Sequence, residues 1–287
     1  LERLSQRFKL LAGANRGAIP RQATLRALID WSWDLLEPWE QSALAQVSVF
    51  REGFYMEAAE SVMDLSAWPE APWSLDVMGS LLDKSLLRSR QVLGQPRFDM
   101  FVSIQEYASE KLIDVSDASL PYAAQTTQQR HAYWFANMEK HKLVHVPDSG
   151  SYSHSSAELF GELENLIAGA DYGISETAAQ CSILAIRVLM LTGPVSMGAD
   201  LAYRTLQLPD LPRQLRMRLE TSRSRCLRLS GSMTEARMMV KGPEPKKARP
   251  VKGTGTGTGA GYTSEFQNER NLALIEATRL MELGEID

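Results

Sequence analysis

The 287-residue chain is poor in the residues that usually carry chemistry: it has two cysteines, four histidines and no apolar run of the 18 or so residues needed to span a bilayer. Cys181 and Cys226 lack ligand-like spacing, so buried thiols in a reducing cytosol are expected rather than a disulfide. Residues 1–25 are too charged for a signal peptide, and a cytoplasmic location is expected. His131, His141, His145 and His154 cluster in the sequence, and His141 and His145 share the i,i+4 spacing of two ligands on one helical face. No glutamate follows His141, no cysteine lies nearby and Pro147 threatens the helix, so neither a metal nor any other cofactor is expected. Positive charge is not in surplus: 31 Lys and Arg against 35 Asp and Glu leave a net charge of -4. A dedicated phosphate binder usually runs basic, although net charge says nothing about local faces. No G-x-x-x-x-G-K-[ST] motif is present, and Gly193-Pro194-Val195-Ser196-Met197-Gly198 is no nucleophile elbow. No enzyme is expected.

What the chain does have is helical periodicity. The length suggests two compact units, and the opening Leu1-Glu2-Arg3-Leu4, inside an amphipathic pattern that runs over residues 3–12, reads as an excised fragment. Leu25, Leu28, Ile29, Trp33 and Leu36 form one stripe on a helix from Arg21 to Leu36. Pro38 suits the first position of a helix running to Phe50. Gly53 turns the chain into Met56–Met63, and Leu75–Leu82 follows two prolines. Leu86–Arg90 and Arg97–Phe101 around Gln91–Pro96 read as a hairpin, after which Ser103 is placed to cap a helix to Ile113. Helices joined to a hairpin in this order outline a winged helix. Beyond residue 125 the pattern predicts helices over 125–143, 156–173, 176–192, 198–207, 212–229 and 232–240, in the manner of a tetratricopeptide-type stack.

Composition breaks at 241. A Pro/Lys-rich stretch and the run from Gly253 to Gly261 cannot bury an apolar face and form a tether. A last amphipathic helix, about 264–283, gathers Phe266, Ala273, Leu274, Ala277, Leu280 and Met281 on one face. A linker of about 20 residues reaches roughly 25 Å and sets a millimolar effective concentration, so this helix is read as a tethered partner peptide docking on the helical region. The alternative is a low-complexity insertion before an ordinary last repeat helix.

The segment Arg21-Gln22-Ala23-Thr24-Leu25-Arg26-Ala27-Leu28-Ile29-Asp30-Trp31-Ser32-Trp33-Asp34-Leu35-Leu36 resembles the "PRQxTLRAxIDWSYDLL" block of bacterial STAND regulators, the NB-ARC-like switches. Val49-Phe50-Arg51-Glu52-Gly53-Phe54 with Met56–Glu60, Leu82-Asp83-Lys84-Ser85-Leu86, Ile104–Ala108 and Glu162-Leu163-Glu164-Asn165-Leu166 resemble further blocks of the same family, over about residues 1–240. The resemblance implies a multidomain switch in which a P-loop domain binds nucleotide, a winged helix locks the resting state and C-terminal repeats sense a partner. The chain lacks the P-loop, and Phe101 stands where related regulators carry a nucleotide-contacting histidine, so nucleotide sensing through that position is not expected.

The resulting expectation is a mainly α fold: a winged-helix domain with one hairpin over 1–115, a tetratricopeptide-like domain over 116–241, a linker over 242–263 and a helix over 264–287. The expected function is non-catalytic regulation by recognition of a protein partner's helix, with the anchors named above. Two alternatives are DNA binding through the winged helix and membership of an NTP-driven switch. For DNA binding the candidate contacts are Arg88, Arg90 and Arg97 on a solvated hairpin. At least one of Trp31 and Trp33 is expected in the core, and Glu162 and Glu164 at a solvated helix start.

Overall fold

The computed structural model describes residues 19–115, 120, 122–138 and 159–232, with side chains from 25 onward. Those residues form a mainly α protein with one antiparallel hairpin. The elements are α1 (Ile19–Asp34), α2 (Pro38–Val47), α3 (Met56–Val62), α4 (Ser74–Asp83), β1 (Arg88–Val92), β2 (Gln95–Asp99), α5 (Val102–Ile113), α6 (Ala124–Ala136), α7 (Leu163–Tyr172), α8 (Ser175–Thr192), α9 (Val195–Leu206) and α10 (Arg213–Leu229).

Pro38 opens α2 at its first turn, where a missing N–H is no loss. The Glu37 N–H donates to Glu40 Oε2 (2.8 Å), and Glu40 is itself buried. Lys84 Nζ donates to both Glu40 oxygens (2.7 and 2.5 Å) and Ser80 Oγ to one of them (2.5 Å), which ties α4 to the start of α2. Burial alone would raise the Glu40 pKa. The donors from Lys84, Ser80 and Glu37 outweigh it and hold the carboxyl below its ordinary value.

The hairpin differs in detail from the expected one. Leu86 and Leu87 are core residues ahead of β1, and the strands extend to Val92 and back from Gln95, in the register Arg90↔Arg97. The turn is only Leu93-Gly94, both at positive φ (51° and 82°), as a two-residue primed turn demands. A third rung, invisible in the sequence pattern, comes from Phe54. Its N–H donates to Phe98 O (2.9 Å), and the Phe98 N–H donates back to Phe54 O (2.8 Å). Gly53 makes that approach at φ +100°, where a Cβ would sit 2.6 Å from Phe98 O. The α5 helix begins at Val102 with Phe101 at its cap, so Ser103 lies inside the first turn and does not cap it.

The expected stripe on α1 is only half buried. Leu36 is in the core, and Trp33 packs edge-on to Tyr107 of α5 (5.7 Å between ring centroids), while Leu25, Leu28 and Trp31 face outward. Tyr107 Oη donates to Asp30 (2.7 Å) and Arg26 to Glu110 (2.7 Å), which ties α1 to α5, and Gln41 Nε2 of α2 donates to Trp33 O (2.9 Å).

In the second half, α7 and α8, and α8 and α9, are joined by two-residue turns. Each cysteine fills a notch left by a glycine on a neighbouring helix. Cys181 of α8 sits against Gly169 of α7, and Cys226 of α10 against Gly198 of α9. Both thiols are free and buried, and burial raises their pKa. One apolar core runs continuously from Leu36 to Leu227, with Phe50 and Phe54 in the same cluster as Phe135 and Leu166. The 232–240, 242–263 and 264–287 expectations lie outside the described residues.

Because Leu93 occupies a left-handed position that asparagine tolerates better, Leu93→Asn should stabilise the fold by about 0.5–1 kcal/mol. A raised urea midpoint with an unchanged m-value would show it.

Candidate functional site: a buried charged joint beside an open pocket

The hairpin carries three arginines, and the structure gives them two fates. Arg88 and Arg90 point outward and share one carboxylate: Arg88 Nη2 lies 2.5 Å and Arg90 Nε 3.7 Å from Asp99. The Arg88 guanidinium also stacks 4.1 Å over the exposed Phe101 ring. Arg97 does the opposite. Only 3% exposed, it turns into the body and donates from Nη1 and Nη2 to the Glu162 carboxylate. Nη2 also donates to the carbonyls of Gly53 (3.1 Å) and Gly161 (2.9 Å). Desolvation works against the charged guanidinium, but Glu162 more than compensates, and the Arg97 pKa is raised. Arg97 is therefore no part of the solvated hairpin face and has no surface to offer DNA.

Glu162 likewise departs from the expected solvated helix start. The predicted 156–173 helix is interrupted by a turn at Gly161-Glu162, and α7 proper begins at Leu163. With the Gly161 carbonyl taken by Arg97, the break aims Glu162 inward at 3% exposure. Glu164 stays half-exposed.

Asn165, one turn after Glu162 and fully buried, completes the joint. Its Nδ2 donates to Glu162 Oε2 (2.6 Å) and to Gly53 O (2.9 Å), and its Oδ1 accepts from the Arg51 N–H (2.7 Å). His131 of α6 lies 3.3 Å from the same oxygen through Nε2. Oδ1 can only accept, so Nε2 carries the proton and Nδ1 is the bare nitrogen, which is buried with no hydrogen-bond partner. Phe50, Phe135 and Tyr172 surround the ring, and burial drives its pKa down to about 3. Of the four clustered histidines only His131 is within the described residues, and it is a buried neutral group. Among the described residues no group of three or more His, Cys, Asp or Glu is placed to hold a metal. The sequence pattern marks Gly53 only as a turn and Asn165 only as part of a resembling block, not as members of a buried network. Their available signals were an i,i+3 Glu/Asn pair on a mostly apolar helix and a glycine between charged and aromatic neighbours.

Beside the joint lies an open pocket of about 540 Å³. Its floor is Phe50 and Phe54, and its rim alternates Arg51, Arg88 and Arg90 with Glu52, Asp99 and Glu164. Burial and the Glu52 charge raise the Glu164 pKa. A balanced rim of this kind suits polar contact with a protein surface better than capture of an anion. The partner-helix anchors Phe266, Ala273, Leu274, Ala277, Leu280 and Met281 lie outside the described residues.

By sequence the chain is similar to a Mycobacterium tuberculosis protein named "Putative HTH-type transcriptional regulator", with 33% identity over 162 residues, 56% of this chain and 17% of that protein. A Mycobacterium bovis protein of the same name matches to the same extent. An uncharacterized protein of Mycobacterium tuberculosis is 31% identical over 115 residues, 40% of this chain and 29% of its own length. The chain thus spans less than a third of the length of these relatives. No family profile and no solved structure matches it. No helix among the described residues is long and apolar enough to cross a membrane.

Two outcomes test the joint. Glu162→Leu strands a buried guanidinium and should cost about 3–5 kcal/mol, whereas the double variant Arg97→Met/Glu162→Leu should recover most of it, read from urea melts. The second concerns pH. The folded chain holds His131 neutral below its ordinary pKa of 6.5, so the unfolded chain takes up that proton first. Stability should fall as pH drops from about 6.5 toward 4.5, with a slope of at most about 1.4 kcal/mol per pH unit from this group. His131→Phe should flatten that part of the profile.

Proposed function

We propose that this chain is a non-catalytic coupling segment of a STAND-type signalling regulator, in which a winged-helix unit is fixed to a tetratricopeptide-like unit that receives a partner's helix. The observation that carries this reading is the buried joint. Arg97 of the hairpin, Gly53 before its third rung, and Glu162 and Asn165 at the start of α7 share one desolvated hydrogen-bond network. Such a network ties the placement of the hairpin to that of the helical stack, which is what a transmitting element requires. The similarity to proteins named as transcriptional regulators supports a regulatory role. The pocket's charged rim is internally balanced, which favours a protein surface over a small anionic substrate.

Those names also favour a second reading, DNA contact through the winged helix. Its remaining candidates, Arg88 and Arg90, are exposed but both turned toward Asp99. The α4 helix, which precedes the hairpin, carries Asp76 and Asp83 and no basic residue. A helix that reads DNA normally concentrates Arg and Lys on that element, so protein recognition is the better supported of the two.

A synthetic peptide of residues 264–287 tests the partner reading by calorimetric titration into a chain ending at residue 241. Saturable binding, weakened about tenfold by Phe266→Ala or Leu274→Ala, is the expected result. Absence of heat, together with unchanged stability of the shortened chain, would remove the tethered-helix idea.

A further inference from the structure

The net charge of -4 conceals one strongly basic element. The last described helix, α10, holds six arginines and a single acidic residue, Glu220. Leu215, Leu219, Cys226 and Leu227 bury its inner side. At 100° per residue the opposite side carries Arg213, Gln214, Met217, Arg218, Thr221, Ser224, Arg225, Arg228 and Leu229, and the exposed Glu220 lies on the same side beside Arg213. Arg213, Arg218 and Arg228 are exposed and Arg225 half-exposed. None of these four makes a hydrogen bond or ion pair with a described residue. The other two are engaged at the flank: Arg216 donates to Leu206 O (3.3 Å), and Arg223 stacks 4.7 Å over Tyr203.

The contrast with the hairpin is chemical. There every arginine faces a carboxylate, whereas here four cations share about 22 Å of helix with one acid, Glu220, that forms no ion pair with any of them. An isolated solvated helix would relieve that repulsion with acids one turn away. Besides Glu220, the polar residues interleaved with the arginines are Gln214, Thr221 and Ser224, hydrogen-bonding side chains of the kind that meet phosphate oxygens. Only Met217 and Leu229 are apolar, too few for helix-in-groove docking or for insertion at a lipid surface. The row holds no exposed aromatic ring on which single-stranded bases would stack.

We propose that the outer face of α10 binds the phosphate backbone of duplex DNA, without base readout, through Arg213, Arg218, Arg225 and Arg228. This goes beyond the protein-recognition reading above and stands on different residues.

The test is fluorescence anisotropy of the full chain with a labelled duplex of about 20 base pairs, between about 50 and 200 mM salt. Binding in the micromolar range is expected, with a log–log salt slope of about -3 to -4 for four neutralised phosphates. The fourfold Arg→Gln variant should lose binding by more than about tenfold and flatten the slope, whereas the fourfold Arg→Lys variant keeps both. Circular dichroism checks that each variant folds. Arg88→Gln/Arg90→Gln should leave the slope unchanged; if the loss follows that pair instead, the contact belongs to the hairpin and the α10 assignment fails. It fails equally if the chain binds no duplex, if the fourfold Gln variant binds as well as the parent, or if polyglutamate or phosphatidylserine vesicles bind and DNA does not.

Discussion

An arginine and a glutamate taken wholly out of water set the terms for the centre of this molecule. Arg97 and Glu162 are 65 residues apart and each nearly fully buried, and the desolvation of two charges is repaid only when every donor and acceptor around them is used. The structure meets that requirement with backbone. Gly53 O serves both Arg97 and Asn165, and Gly161 O is taken from the helix that would otherwise continue through it. Those two demands explain local features that look unrelated: a glycine at φ +100° just before the third rung of the sheet, and a helix that begins at Leu163 although the sequence pattern runs unbroken over 156–173.

Around that pair the polar interior is layered. Asn165 passes the network to the Arg51 backbone and to His131, and Arg51 reaches on to donate to Tyr172 Oη at 2.8 Å. A second set, Glu40 with Lys84 and Ser80, secures α4. A third joins α6 to the end of α3 and to α2, where Arg130 donates to Val62 O (2.7 Å) and to Gln46 Oε1 (2.9 Å). Buried ion pairs of this kind add little net stability against an apolar alternative, but they penalise any arrangement that leaves one member unpaired. Their effect is to select one arrangement of the elements over its near neighbours, with the continuous apolar core from Leu36 to Leu227 supplying the bulk of the driving force.

How much of this the sequence disclosed depended on range. Features governed by neighbours within a turn were legible: Pro38 at the head of α2, Gly53 as a turn, the α8 boundaries and the presence of a hairpin. Features governed by distant partners were not. The pattern around Leu93 offers no asparagine, so the two-residue turn fixed by the Arg90↔Arg97 register was hidden behind the more obvious Gly/Pro signal. Glu162 reads as a helix-start acid and Arg97 as a hairpin cation until each is seen opposite the other. The apolar stripe of α1 was real as periodicity, yet only Trp33 and Leu36 toward its C-terminal end reach the core cluster, while Leu25 and Leu28 stay exposed. The anchors of the 264–287 helix were argued from periodicity alone and stay outside what the structure describes.

The three arginines of the hairpin and the six of α10 make the same point from opposite sides. In sequence, Arg88, Arg90 and Arg97 form the more suggestive cluster, since they sit on the hairpin expected to be the wing of a winged helix, where a nucleic-acid contact would be sought. In space one of them is buried and two are turned to Asp99, so the hairpin's positive charge is largely neutralised by its own chain. The arginines of α10 drew no attention, being spread through a helix that otherwise reads as amphipathic. Yet four of them form no ion pair among the described residues, and the field outside a protein is set by unopposed charge rather than by the count of basic residues. A chain of net charge -4 can therefore carry four exposed or half-exposed arginines against one acid on a single helix face, far along the sequence from the hairpin.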